Sequence, residues 1–143
     1  MSSLITEIKN KFPKLFVTEL EDDNLIFKPE QTDGHVEYKR TLVDCNDIKA
    51  QKYATQMRWR ITENVKSQCA TYFIGVDDDG TIIGLDDEDI LNCIGRFVSI
   101  ANSITASIVG IQLMHVKNLS IIKINVKIKK ISDNYLVEFG EKF

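Results

Sequence analysis

The sequence predicts an α/β fold: a two-layer sandwich in which a mixed sheet with a central β-hairpin packs against two main helices, preceded by a short N-terminal helix. Three observations carry that expectation. Two amphipathic helical patterns, before Asn64 and after Asp87, flank the stretch Tyr72–Leu85. That stretch sets two apolar, β-branched runs on either side of an Asp78-Asp79-Gly80 tip, a strong hairpin signal. From Ala106 onward the hydrophobic period changes from near four to two.

Composition narrows the class. A chain of 143 residues, 43% hydrophobic and 27% charged, reads as one ordinary globular unit, and a net charge of −3 gives no overall bias toward nucleic acid. Cys45, Cys69 and Cys93 are odd in number, widely spaced and without a C-x-x-C, which points to reduced thiols rather than a disulfide framework or a zinc site. Glu7, Lys9 and Lys11 interrupt any signal-peptide core, and no run reaches the roughly 18 apolar residues of a membrane span. A soluble, cytoplasmic protein without a membrane partner is expected.

The elements follow in order. Leu4, Ile5, Ile8, Phe12, Leu15 and Phe16 recur at near-helical spacing, with Pro13 ending or kinking the helix. Glu19, Glu21, Asp22 and Asp23 then read as an irregular, solvated acidic stretch. Residues 1–28 form a helix and acidic linker, and 29–143 a single α/β domain. Pro29 to Gly34 is loop chemistry. His35–Val43 alternates as a strand, and Asp44 or Asn46 caps a helix running to about Asn64. Its apolar stripe is Ala50, Ala54, Met57 and Ile61.

The hairpin strands lie near Cys69–Val76 and Thr81–Leu85. The second helix, Asp87 to about Ile104, buries Leu91, Ile94, Phe97, Val98 and Ala101. Asp86, Asp87, Glu88 and Asp89 fit the electropositive first turn of that helix. Strands over Ile108–Met114, Ser120–Ile131 and Tyr135–Phe139 complete the sheet, with Asp133-Asn134 as the last turn.

Several chemistries fail on spacing. Gly75 and Gly80 match the start of a phosphate loop, but Thr81-Ile82 stand where Lys-Ser/Thr is needed and three aspartates would repel phosphate. An EF-hand register puts Gly75 at the first ligand position and Asp86 at the twelfth, and a strand replaces the entering helix. His35 and His115 sit in no local motif with a serine or cysteine and read as surface or strand-edge residues. Trp59, between Arg58 and Arg60, falls off the apolar stripe and reads as packing on the sheet rim or covering a partner.

Charge is segregated instead. Seven basic residues lie between Lys39 and Lys66, and five lysines without an acid between Lys117 and Lys130. Lys123, Asn125, Lys127 and Lys129 share one strand face, with lysines about 7 Å apart, near the phosphate repeat of a nucleic-acid backbone. Arg58, Arg60, Lys123, Lys127 and Lys129 are the expected phosphate contacts. The competing reading is a wet strand face whose lysines block aggregation.

A family resemblance rests on Pro29-Glu30, Asp33-Gly34, Glu37-Tyr38-Lys39, Leu42-Val43, Thr55-Gln56-Met57-Arg58-Trp59-Arg60, Tyr72 to Val76 with Asp78 and Gly80, and Gly84-Leu85, in that order. These residues resemble the N-terminal domain of the elongation-factor-like translational GTPases called GTP-binding proteins one and two, over roughly residues 29–85. Asn64-Val65-Lys66-Ser67 replaces the family's Gly-rich link, and no GTPase domain follows before Phe143. The resemblance therefore implies a non-catalytic module that binds RNA or a ribosome-associated factor, not a GTPase.

More distantly, Glu37-Tyr38-Lys39 with the Gly-Val-x-Asp hairpin resembles the AlbA-like module of Schlafen proteins, some of which cleave RNA with a metal held by three carboxylates. On that resemblance Glu37 and either Asp77 or Asp78 are candidate ligands. Thr32 stands where the first carboxylate belongs, with Glu30 or Asp33 as substitutes. No cofactor is expected unless this nuclease alternative holds, which would need Mg²⁺ or Mn²⁺. A third alternative is a protein–protein or homo-oligomerisation module.

Overall fold

The computed structural model describes residues 3–64 and 68–128. In chain order they form α1 (Ser3–Lys11), β1 (Val17–Glu21), β2 (Val36–Lys39), α2 (Asp47–Glu63), β3 (Cys69–Ile74), α3 (Asp87–Ser103), β4 (Ala106–Val116) and β5 (Leu119–Ile128). The sheet is mixed, in the order β1-β4-β5-β3-β2. β1 runs parallel to β4 and β2 parallel to β3, while β5 is antiparallel to both of its neighbours. Helices α2 and α3 lie together over one face, which is the two-layer α/β arrangement expected.

Capping residues set the helix starts. The Asn46 side chain accepts from the Lys49 amide at 2.9 Å and the Asp86 side chain from the Asp89 amide at 2.8 Å, each satisfying a free N–H of the first turn. The α2 stripe is Ala54, Met57 and Ile61, as its periodicity requires. The α3 stripe is wider than expected and centres on Ile90, Cys93, Ile94, Phe97, Ile100 and Ala101; Leu91 and Val98 only flank it. These residues meet Ala70, Tyr72 and Ile74 of β3, Ile111 and Leu113 of β4, and Ile122, Ile124 and Val126 of β5. A fully buried Leu, Ile or Phe contributes about 1.5–3 kcal/mol, so this cluster supplies most of the driving force.

The hairpin at the centre of the sheet is β4–β5. Its two-residue loop, Lys117-Asn118, has φ of 47° and 65°, the left-handed pair that a tight hairpin turn requires. The Tyr72–Leu85 stretch is looser than a hairpin of two strands. After β3 its arms pair only at Val76 and Ile82, so Thr81–Leu85 is not a strand. Gly75, at φ 102°, turns the chain, and its carbonyl accepts from both Ile83 and Gly84 amides.

Two further expectations are corrected. The acidic stretch after α1 contains β1, because Val17 buries against the helices while Glu19 and Glu21 stay at the surface and its backbone pairs with β4. The expected strand His35–Val43 is only Val36–Lys39. The expected last strand, Tyr135–Phe139, lies outside the described residues. Among the described residues no helix is long and apolar enough to cross a membrane.

Candidate functional site

Strand alternation puts two different surfaces on the side of the sheet away from α2 and α3. One half is covered. Tyr38, Val76, Met114 and Ile121 are buried there beneath Leu25, Phe27 and Ile82. The Tyr38 hydroxyl donates to the Lys28 carbonyl at 2.7 Å, and Phe27 meets Phe73 edge-to-face at 4.7 Å. The Glu30 amide donates to the Asp78 carbonyl at 2.7 Å, which ties the cover to the acidic tip. A Cβ at Gly80, where φ is 92°, would drive into the Phe27 carbonyl, so this close approach needs glycine.

The described residues leave the other half open. Across it the register aligns Thr71 with Asn125, Phe73 with Lys123, Cys69 with Lys127, Gln112 with Lys123 and Ser107 with Lys127. Thr71 Oγ1 and Asn125 Oδ1 are 2.8 Å apart, and Lys123 Nζ stands 6.0 Å from the centroid of the Phe73 ring. No Asp or Glu belongs to this row among the described strand residues. A cleft of about 270 Å³ opens at its edge, lined by Phe16, Thr18, Val109, Gly110, Gln112, Lys123 and Asn125. Phe16 is 70% exposed beside it. Lys127 is exposed and Lys123 half-buried; Lys129 lies outside the described residues.

Arg60 behaves otherwise than expected. It is only 9% exposed, and its guanidinium is used internally. Nε donates to Glu37 Oε1 at 3.3 Å, Nη1 to the carbonyls of Gly34 at 2.9 Å and Thr32 at 3.4 Å, and Nη2 to the Gln31 carbonyl at 3.1 Å. Nη2 also lies 3.7 Å from Glu30 Oε1. Its planar fork thus pins the 31–34 loop to α2 and pairs with the Glu37 carboxylate, leaving nothing for phosphate. Arg58, two residues and so about 200° around the helix from Arg60, is exposed. It stands on the helical layer, opposite the lysine face of β5, so Arg58 and Lys127 do not form one surface.

The candidate catalytic carboxylates separate in the same way. Glu37 is 6% exposed and bound to Arg60. Glu30, named as a substitute ligand, does reach it: the two carboxyls share a hydrogen bond, and burial first, then that bond and the Glu37 charge, push Glu30 up to about 7. Glu30 also accepts from the Tyr38 amide at 2.5 Å, blocking the outer edge of β2. Asp77 instead faces Arg40 at 3.9 Å, and its Oδ1 accepts from the Asp78 amide at 2.8 Å. Asp79 accepts from the Thr81 amide at 2.8 Å, and its hydrogen bonds to Thr81 hold its carboxyl below the usual range. The tip is turn chemistry. Among the described residues no group of three His, Cys, Asp or Glu side chains is placed to hold a metal.

Three features were missed in the sequence. Lys39 is drawn inward, with Nζ 3.0 Å from Gln56 Oε1 and 4.0 Å from the centroid of the Tyr53 ring; burial lowers its pKa. His115 does find a serine: Nδ1 lies 2.9 Å from Ser120 Oγ across the β4–β5 turn, and Nε2 lies 2.5 Å from Glu19 Oε2 on β1. That chain latches β1 to the hairpin. Trp59 does not pack on the sheet rim; it is 70% exposed. A residue two steps beyond the buried Met57 points away from the sheet by geometry, which the helical period could have revealed.

Comparison with known proteins returns relatives of two kinds. The chain is 45% identical over 141 residues to the uncharacterized protein R625 of Acanthamoeba polyphaga mimivirus, covering 99% of this chain and 75% of that one. It is 35% identical over 80 residues to GTP-binding protein 2 of mouse and of human. That match covers 56% of this chain and 13% of theirs. The AlbA-like and Schlafen resemblance gains no support from these relatives. No family model matches, and no solved structure matches.

Proposed function

The chain belongs to the family of the mimivirus protein R625, and we propose that it is a non-catalytic module that binds single-stranded RNA across the open half of its sheet. The observation that carries this reading is the acid-free row Thr71, Ser107, Gln112, Lys123, Asn125 and Lys127 on a protein whose net charge is −3. Lysines contact phosphate, the amide and hydroxyl side chains serve sugar and base edges, and the cleft beside Phe16 accepts a stacked base. The 35% identity over 80 residues to GTP-binding protein 2 supports a role beside translational GTPases. GTP binding is not proposed for this chain, because the Gly75–Gly80 turn presents aspartates where phosphate would sit. The nuclease alternative has less behind it, since Arg60 occupies Glu37.

The test is a titration of a fluorescent oligouridine, about a dozen nucleotides long, followed by anisotropy at several salt concentrations. Affinity should fall as salt rises, and Lys123→Gln with Lys127→Gln should flatten the log–log slope by about 1.4, or about 0.7 per phosphate contact. Salt-independent binding, or a slope unchanged in that pair, would overturn the reading.

A further inference from the structure

A second pocket lies on the other layer, where α2 ends. It has a volume of about 310 Å³ and is lined by Thr55, Gln56, Trp59 and Glu63 of α2, with Glu37 and Arg60 at its inner wall. Trp59 offers an indole face that nothing in the described chain covers, since it is 70% exposed. From this geometry we infer that the pocket receives a cationic side chain, the guanidinium or ammonium of an arginine or lysine presented by a partner polypeptide.

Three features favour a cation there. Glu63 is an exposed carboxylate in the last turn of α2, where the free carbonyls carry the negative end of the helix dipole. An aromatic wall, best of all an indole, attracts a cation over its face. The inner wall adds no net positive charge, because the Arg60 guanidinium is already matched by the Glu37 carboxylate. Against these stand Lys52 and Arg58, which are exposed on α2 but do not line the pocket. A phosphate or a carboxylate would meet Glu63 and Glu37 instead. A nucleobase stacked on Trp59 is the rival occupant.

Trp59 is the single tryptophan of the chain, so its fluorescence reports on this pocket alone. The full chain is titrated with tetra-arginine amide and tetra-lysine amide, with tetraglutamate and octauridine as the competing probes. The two cationic peptides should change the emission saturably, arginine more strongly than lysine. Glu63→Lys should weaken that binding by tenfold or more, while Glu88→Lys, at the far end of α3, should leave it within twofold. A fold failure is excluded by recording far-UV circular dichroism of each variant. No saturable change with either cationic peptide overturns the proposal. So does a response to octauridine in their place, or one that Glu63→Lys leaves intact.

Discussion

Two groups of basic residues, Arg60 on α2 and Lys123 with Lys127 on β5, differ in everything except formal charge. Arg60 sits between a helix and an edge strand, where every donor direction finds a carboxylate or a loop carbonyl. Lys123 and Lys127 stand on a sheet face with no acid beside them among the described strand residues, Lys127 exposed and Lys123 half-buried. The comparison teaches that the value of a positive charge is set by its neighbours. Removal from water makes Arg60 a structural keystone, whereas Lys127 keeps its charge at the surface.

The largest effect that would break this contrast is on stability. Arg60→Ala leaves the Glu37 carboxylate buried without a counter-charge and should cost about 3–5 kcal/mol in urea unfolding. Lys127→Ala should cost no more than about 0.5 kcal/mol in the same measurement. Equal losses would mean that Arg60 is not doing what its contacts indicate. Gly80→Ala, by pushing the 27–28 backbone off the covered half of the sheet, should destabilise by about 1–3 kcal/mol without changing oligouridine affinity in variants that remain folded.

Next comes a change on the lysine side. Asn125→Asp places one carboxylate in the acid-free row and should weaken oligouridine binding by about tenfold at low salt, or about 1.4 kcal/mol. Its unfolding midpoint should stay close to that of the parent. If binding is unchanged, the open face is not the contact surface.

The smallest effect concerns pH and the buried side of the contrast. Glu30 holds its proton up to about 7 in the folded state, against 4.5 in an unperturbed chain. Between those values the folded state binds more protons than the unfolded one, so stability falls as pH rises. The contribution is complete below the lower value and lost through the upper one. Urea midpoints should therefore be higher near pH 5 than near pH 8 by more in the parent than in Glu30→Gln. A variant with the parent's slope would show that another group controls it.

What could be read in the chain was what depends on local period. The stripe Ala54, Met57 and Ile61 and the alternation of Ile122, Ile124 and Val126 with Lys123, Asn125 and Lys127 follow from the 3.6- and 2-residue repeats, and capping chemistry placed the helix starts at Asp44 or Asn46 and among Asp86–Asp89, of which the fold uses Asn46 and Asp86. The fold class and the two faces of β5 came with them. What could not be read was every pairing across the sequence. β1 enters the sheet only because β4, nearly a hundred positions later, offers its edge. Arg60 is spent because the 31–34 loop and Glu37 fold back onto α2. Arg58 and Lys127 part company because α2 covers one side of the sheet and β5 shows its lysines on the other. A helix period says which residues share a face, and a strand period says the same. Which faces meet, and so which charges are cancelled or left over, is decided by the long-range packing that brings them together.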